Sequence, residues 1–127
     1  MIRTKMHIKY ARLNLQEAET AIQESEFDRA LSKCRDSAIS LVKAIKEAVP
    51  RENLCLDPVD MKKLKRLALD LMDSEAAADK LVNTISGVLK EAERVGPSRI
   101  DAERLLSLTG EAFHMVHDLF APSLPEV

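Results

Sequence analysis

The chain has 127 residues, of which 46% are hydrophobic and 31% charged, and only three are glycine. This length fits one domain, and the composition is that of a helix-rich globular protein, which excludes a disordered tail or a fibrous repeat. The formal net charge of −2 gives no overall attraction to nucleic acid or an anionic membrane, so such binding would need a local basic patch.

Cysteine use and the first residues predict an intracellular, cytoplasmic protein with reduced thiols. The two cysteines, Cys34 and Cys55, form no Cys-x-x-Cys pair. Residues 1–12 lack the apolar core of a signal peptide. Because no apolar run approaches the roughly 20 residues that cross a bilayer, we expect no membrane segment.

Helices one and two are predicted from apolar residues that recur at steps of three and four. Helix one covers residues 4–23, and helix two follows a capping signal at Ser25 and Asp28 and ends before Pro50. The link between them is so short that they form an antiparallel hairpin. The stripe of helix one is Ile8, Ala11, Leu15, Ala18 and Ile22, and that of helix two is Phe27, Leu31, Cys34, Ala38, Leu41 and Ile45.

A loop follows helix two and leads to a third helix. Asp57 is its predicted cap and Pro58 its first residue. Residues 57–95 form either one kinked helix or two helices, because Asp73 and Ser74 can end the first and cap the second.

The last helix begins at Ser98 with Asp101 and ends at Pro122. No strand pattern appears along the chain. The predicted fold class is therefore all-α, an antiparallel up-and-down bundle of four to five helices. We assign residues 1–121 to this single domain and residues 122–127 to a short C-terminal tail.

Small residues mark the first hairpin, with Ala11 and Ala18 on helix one, the turn at residues 26–30, and Ala38 on helix two. Small residues let two helices approach closely. With Leu15 and the Lys43-Ala44 pair, this hairpin resembles the opening hairpin of HEPN domains, which are small helical bundles. The resemblance implies a HEPN-like homodimer. It also implies two functions found in that family: metal-independent ribonuclease activity, and pairing with a small nucleotidyltransferase in toxin–antitoxin-like systems.

The nuclease members of that family carry an arginine shortly before a histidine on a late helix. The histidine can then move protons while the guanidinium holds a phosphate. Here the late helix carries His114 and His117, but the positions where the arginine would stand, 107–109 and 110–112, hold no basic residue. Arg104 lies roughly 15 Å from His114 along a helix axis. The nuclease motif is therefore degenerate.

Three hypotheses follow, and they leave open whether the protein is an enzyme. The first is a HEPN-like binding or regulatory component, homodimeric and without a cofactor, paired with a small nucleotidyltransferase. The alternative is a metal-independent ribonuclease acting on RNA, whose site combines His114 or His117 with Arg99 or Arg104 of a second chain. The third is a structural helical-bundle module unrelated to HEPN domains.

The late helix also has a spacing typical of metal sites. Glu111 and His114 have the Glu-x-x-His spacing of helical di-metal proteins, and His117 and Asp118 extend the set. A second Glu-x-x-His is absent from the sequence, and the other helices offer no evident inward carboxylate. We therefore predict the polar edge of a helix and no metal site.

Two basic stretches, on helices one and three, are candidates for a patch that contacts RNA phosphates or an acidic partner. The alternative is a solvated surface balanced by nearby glutamates. Arg35 and Asp36 form a candidate cleft on helix two, for which the simpler interpretation is pairing of Asp36 with Lys33 or Ser40. The basic patch consists of Arg3, Lys5, Lys9, Arg12, Lys62, Lys63, Lys65 and Arg66.

Overall fold

The computed structural model describes residues 2–49, 53–56 and 58–123. These residues form five α-helices and a terminal 3₁₀ helix, and within them the only β-type pairing is an isolated bridge between Leu56 and Val59. The all-α prediction of four to five helices is thus confirmed. The helices are α1 (Ile2–Gln23), α2 (Phe27–Ala48), α3 (Met61–Leu71), α4 (Glu75–Arg94) and α5 (Arg99–Phe120), followed by the 3₁₀ helix Ala121–Ser123.

Four long helices make the bundle, and α2 packs on all of the other α-helices. α1 packs on α2 and α5, whereas the short helix α3 packs on α4 and α2. Two clusters of buried side chains fill the interior. The larger includes Leu41, Ile45 and Ile85, and the smaller includes Ala18 and Cys34.

The α1–α2 hairpin is held by close packing and by two hydrogen bonds between the helices. The Ser37 hydroxyl on α2 donates to the carbonyl oxygen of Ala11 at 2.8 Å, and the Thr4 hydroxyl on α1 donates to the carbonyl oxygen of Ala44 at 3.4 Å. The residue nearer the start of α1 bonds to the residue nearer the end of α2, as expected for the predicted antiparallel hairpin. The small residues that permit this approach are fully buried, namely Ala11, Ala18, Ala30 and Ala38.

The turn between α1 and α2 differs from the predicted cap at Ser25 and Asp28. Ser25 has a φ of 60°, its amide donates to the carbonyl of Ile22, and the next amide, of Glu26, donates to the carbonyl of Ala21. This is the Schellman ending of a helix. Glu26 is the residue that precedes α2, and it makes no side-chain cap. The predicted cap was wrong because Ser25 serves to end α1.

α3 begins later than predicted. The predicted cap Asp57 lies outside the described residues, and Pro58 lies in a turn before the helix. Asp60 is the observed cap, and its carboxylate accepts the amide of Lys63 at 3.1 Å. The prediction of Pro58 as the first helical residue was wrong because Pro58 lies in a turn next to the bridge residue Val59, and the helix begins only after Asp60.

The segment from α3 to α4 is two helices, which settles the alternative left open by the sequence. Met72 ends α3 in an extended conformation with ψ of 140°, and the Ser74 hydroxyl accepts the Ala77 amide at 3.2 Å. The cap of α5 is confirmed, since the Ser98 hydroxyl accepts the Asp101 amide at 3.2 Å. Of the predicted tail, residues 124–127 lie outside the described residues.

Candidate functional site

Large apolar side chains are exposed on the surface of α1 that points away from the bundle. Ile2, Met6, Tyr10 and Leu13 are 79%, 44%, 47% and 43% exposed. Their spacing of four, four and three residues places them along one stripe, opposite the buried stripe that begins at Ile8. We call these four residues the outer face of α1.

Charged residues of opposite sign accompany the two ends of this outer face. The first half of α1 carries exposed cations, and its second half carries exposed carboxylates. Arg3 Nη1 lies 3.9 Å from Glu47 Oε2 of α2, and Glu17 Oε2 lies 2.9 Å from Lys33 Nζ. The hydrogen bond to Lys33 lowers the pKa of Glu17. The cations are Arg3, Lys5 and Lys9, and the carboxylates are Glu17 and Glu19, with Glu24 just after the helix.

The two histidines of α5 meet an arginine of α1 around one aromatic ring. The guanidinium carbon of Arg12 lies 5.5 Å from the centroid of the Phe113 ring. The ring of His117 stacks on Phe113 at 5.8 Å between centroids, and the ring of His114 meets it edge-on at 5.6 Å. We call Arg12, Phe113, His114 and His117 the histidine cluster.

The histidine cluster places a guanidinium and two imidazoles around the Phe113 ring. Phe113 is buried, His117 is half-buried and His114 is exposed, so the polar groups of the cluster lie at its solvent side. His117 Nδ1 also lies 3.8 Å from Asp118 Oδ1. A cationic group over an aromatic face is held by the charge distribution of the ring, which fixes the position of Arg12.

The arginines predicted to complete a site with these histidines lie toward the other end of α5. Arg99 Nη2 donates to the Ser25 hydroxyl at 3.2 Å, and its guanidinium lies 5.2 Å from the Phe27 ring centroid. Along the helix axis, Arg99 and His117 are about 27 Å apart within one chain. Arg104 lines a small cavity between α4 and α5. The rebuilt site with Arg99 or Arg104 of a second chain stays a prediction.

The two halves of the predicted basic patch lie on α1 and α3, which have different neighbours. α1 packs on α2 and α5, and α3 packs on α2 and α4. On α3, Lys65 Nζ lies 2.9 Å from Asp79 Oδ1, and this hydrogen bond raises the pKa of Lys65. Lys62 and Arg66 are exposed. Whether the two halves act together on an RNA or an acidic partner stays a prediction.

Arg35, one of the two residues of the predicted cleft on helix two, lines a cavity between α2 and α4. The suggested pairing of its neighbour Asp36 with Lys33 is replaced by the contact of Lys33 with Glu17 on α1. Cys34, also on α2, is fully buried as predicted from its stripe position. Burial raises the pKa of the Cys34 thiol to about 11, an effect that a hydrogen bond with Thr109 partly offsets.

Two of these arrangements lie outside the single buried stripe that the sequence predicts for each helix. The outer face of α1 is a second apolar stripe on a helix that already has one, and its signal was the spacing of Met6, Tyr10 and Leu13. The histidine cluster joins Arg12 to a helix about a hundred positions later, and no local spacing records that contact.

Neither metal clusters, nor membrane-spanning helices, nor similarity to known proteins point to a function for the part of the chain that the structure describes. Within residues 2–49, 53–56 and 58–123, no three His, Cys, Asp or Glu side chains come together as a metal ion would require. No helix in this part of the chain has the length and apolar character needed to cross a membrane. Comparison of the chain with protein-family models, with curated proteins and with solved structures gives no match.

Proposed function

We propose that the chain is a HEPN-like binding and regulatory component that forms a homodimer through the outer face of α1, with its nuclease activity reduced or lost. The observation that carries the proposal is the exposure of Met6, Tyr10 and Leu13 in one stripe. A contiguous exposed apolar surface bordered by polar residues is typical of an association surface. The occupant we propose is a second copy of this chain.

The charges along α1 favour a second copy in the antiparallel orientation. A twofold axis beside Tyr10 brings the two Tyr10 side chains together and places Met6 of one copy beside Leu13 of the other. It also places the basic end of each α1 against the acidic end of its partner, with Arg3 near Glu17. A parallel pair would instead place cation against cation. Such rim charges contribute little affinity but they fix the orientation.

Sedimentation velocity at tens of micromolar tests the dimer. We expect wild-type protein to be dimeric and the double variant Met6→Gln with Leu13→Gln to bind at least about tenfold more weakly, because two apolar contacts are lost. Ile100→Gln is the matched control, since Ile100 is also a large exposed apolar residue but lies on α5. A monomeric wild type, or a double variant that dimerises like the control, would refute the interface.

The antiparallel register is tested by cross-linking at the twofold axis. In a Cys55→Ser background, which removes the other exposed thiol, Tyr10→Cys should form a disulfide-linked dimer on mild oxidation. Thr20→Cys, on the same helix but remote from the axis, should not. Efficient cross-linking through residue 20 instead of residue 10 would contradict the proposed register.

The resemblance of the first hairpin to HEPN domains supports a small nucleotidyltransferase as the protein that the dimer binds. We expect the product of the neighbouring reading frame to be such an enzyme and to copurify with the wild-type chain after co-expression. The Met6→Gln and Leu13→Gln variant shows whether the complex needs the dimer. A neighbouring product of another class that does not copurify would remove this part of the proposal and leave the dimer intact.

A second candidate function, metal-independent cleavage of RNA, is favoured by the histidine cluster. The arginine that is missing before His114 and His117 in the sequence has a counterpart in Arg12, which lies over the same Phe113 ring. One imidazole would take the proton from the attacking hydroxyl and the other would protonate the leaving oxygen, while Arg12 would hold the phosphate.

Cleavage of several RNAs in the presence of a metal chelator tests this second function. The double variant His114→Ala with His117→Ala should lose the activity, and Arg12→Met should lose most of it. His7→Ala is the control, because His7 is a histidine on α1 outside the cluster. If clean wild-type protein cleaves nothing, or if the cluster variants cleave as fast as the control, the site has no nuclease function.

A further inference from the structure

Charged residues of α1 and α2 face each other along one side of the first hairpin. Near one end of this side, Arg3 Nη1 lies 3.9 Å from Glu47 Oε2. Near the other end, Glu17 Oε2 lies 2.9 Å from Lys33 Nζ. Both pairs join a cation to a carboxylate. We call this side, from the Arg3 pair to the Glu17 pair, the charged side of the hairpin.

The position next to the Arg3 pair on the charged side has no such match. His7 stands one turn after Arg3 on α1, and Lys43 stands one turn before Glu47 on α2. Because the two helices are antiparallel, His7 and Lys43 face each other. Both are half-buried. An imidazole and an ammonium group therefore stand together between two matched ion pairs.

Positive charge prevails around His7. Burial lowers the pKa of His7, Glu47 raises it, and Lys43, Arg3 and Lys46 lower it. In the described part of the chain, the charged groups that act on His7 thus comprise three cations and one carboxylate. Of the three cations, only Arg3 lies against that carboxylate.

The adjoining sequence does not cancel this positive charge. Arg51 and Glu52, which lie outside the described residues, add opposite charges, and Glu52 alone would still leave the cations in excess. Lys43 and Lys46 are half-buried and make no hydrogen bond or ion pair with any residue that the structure describes. An anion between them and His7 would offset the repulsion among these groups.

The rest of the charged side favours a compact anion over a long one. Asp36 stands about 10 Å from Lys43 along the axis of α2, and Glu17 lies further along α1. A polyanion that followed the hairpin would meet these carboxylates in one direction and Glu47 in the other. A phosphate monoester carries a charge of about −1.5 to −2 at neutral pH and has three acceptor oxygens, so it can accept from several donors at one point.

We propose that His7, Lys43 and Lys46 form a binding site for a small phosphate-bearing molecule on the charged side of the hairpin. The two ammonium groups hold the phosphate oxygens, the imidazole donates an N–H, and Arg3 adds positive charge at the edge. The site contains no residue of the histidine cluster. It does lie beside the dimer surface, since the rings of His7 and Tyr10 are 6.4 Å apart between centroids.

Diphosphate and sulfate are the probes, added at constant ionic strength to protein that carries Met6→Gln and Leu13→Gln and is thereby freed from the proposed dimer. Amide and imidazole chemical shifts follow the binding. We expect saturable shifts at His7, Lys43 and Lys46, with diphosphate bound more tightly than sulfate. Saturation with sulfate should raise the pKa of His7, because a bound anion favours the imidazolium.

Substitution of Lys43 separates a defined site from general attraction by a basic protein. Lys43→Met should weaken diphosphate binding at least about tenfold. Lys33→Met is the matched control, because Lys33 is a lysine of the same helix and the same side whose charge already meets Glu17. It should change the affinity less than about twofold. Circular dichroism verifies that each variant is folded.

Substitution of His7 tests its part in the site. Sulfate keeps its charge between about pH 8 and about pH 6, so any change in its affinity over this range reports on the protein. The affinity should rise as the pH falls, because protonation of His7 adds a positive charge beside the anion. His7→Gln keeps an N–H donor and should remove this rise.

Four results would overturn the proposal. The first is no saturable binding of diphosphate, and the second is binding with shifts confined to α3 or α5. The third is an equal loss of affinity in Lys43→Met and Lys33→Met. The fourth is a uridine hexanucleotide that binds the charged side more tightly than diphosphate, which would identify a surface for a polyanion. None of these results bears on the dimer, which sedimentation tests separately.

Discussion

The two faces of α1 both carry large apolar side chains, but only the inner face also carries alanines. The inner face is buried, and its Ala11, Ala18 and Ala21 stand beside Ile8 and Ile22. The outer face is exposed and carries large residues, including Met6 and Tyr10. Alanines on the inner face let α1 lie close to α2, whereas the large apolar side chains of the outer face remain exposed.

This difference teaches that the two faces meet different requirements. The inner face needs a short distance between the α1 and α2 backbones. That short distance lets the Ser37 hydroxyl donate to the Ala11 carbonyl oxygen at 2.8 Å. The outer face is exposed, and a stripe of large exposed apolar side chains is the kind of surface that the proposed dimer would cover. Substitutions on the inner face should therefore change the free energy of unfolding, and those on the outer face should change association.

Ala18→Leu should have the largest effect, because it inserts three carbon atoms where α1 and α2 are in close contact. Ala18 is fully buried in the smaller cluster, next to residues of α2. We expect the free energy of unfolding to fall by about 2 kcal/mol. Urea denaturation at fixed protein concentration measures it.

Thr20→Leu is the matched control on the same helix, because Thr20 is exposed. Its effect should stay within about 0.5 kcal/mol. Equal destabilisation by both variants would mean that the α1–α2 separation is not set by the alanines of the inner face.

Ser37→Ala should have a smaller effect, since it removes one hydrogen bond from the same interface without adding volume. The Ala11 carbonyl keeps its bond within α1, so no buried polar group is orphaned, and the expected loss is about 1 kcal/mol. Ser32→Ala, an exposed serine of α2, corrects for the better helix propensity of alanine. A difference between the two variants below about 0.3 kcal/mol would show that the contact contributes packing alone.

The sequence predicted the helices well and their ends less well, for a physical reason. Periodicity reports which residues face a core, and the buried stripes of α1 and α2 follow it, as Ile8 and Leu41 illustrate. A cap depends on competition between neighbouring elements. The Ser98 hydroxyl caps α5, whereas Ser25 takes the left-handed conformation that ends α1 and does not cap α2.

The candidate sites were less predictable because each depends on contacts between distant parts of the chain. The proposed phosphate site needs α1 and α2 side by side, and nothing in the spacing of His7 and Lys43 records that. Arg12 was named only as part of a basic patch, although its closest aromatic contact is Phe113 on the last helix. Local spacing identifies residues on one helix, and the packing of helices decides which of them meet.

The pair formed by Glu17 and Lys33 stands at the border between the two faces and should show the smallest effect. Its contact lowers the pKa of Glu17, so the folded state binds a proton there less readily than the unfolded state. The stabilisation is therefore present above the ordinary pKa of a glutamate and is lost as the pH falls through the lowered value. Glu17 is exposed and Lys33 is partly exposed, which keeps the energy small.

Titration of the Glu17 carboxyl carbon by NMR measures this effect directly. Lys33→Met should raise the pKa of Glu17 toward its ordinary value, while Lys80→Met, remote from the pair, should leave it lowered. The difference in stability between wild type and Lys33→Met should also shrink as the solution is acidified. If that difference persists at low pH, Lys33 stabilises the hairpin through the packing of its aliphatic stem, and the border of the inner face is set by packing and not by charge.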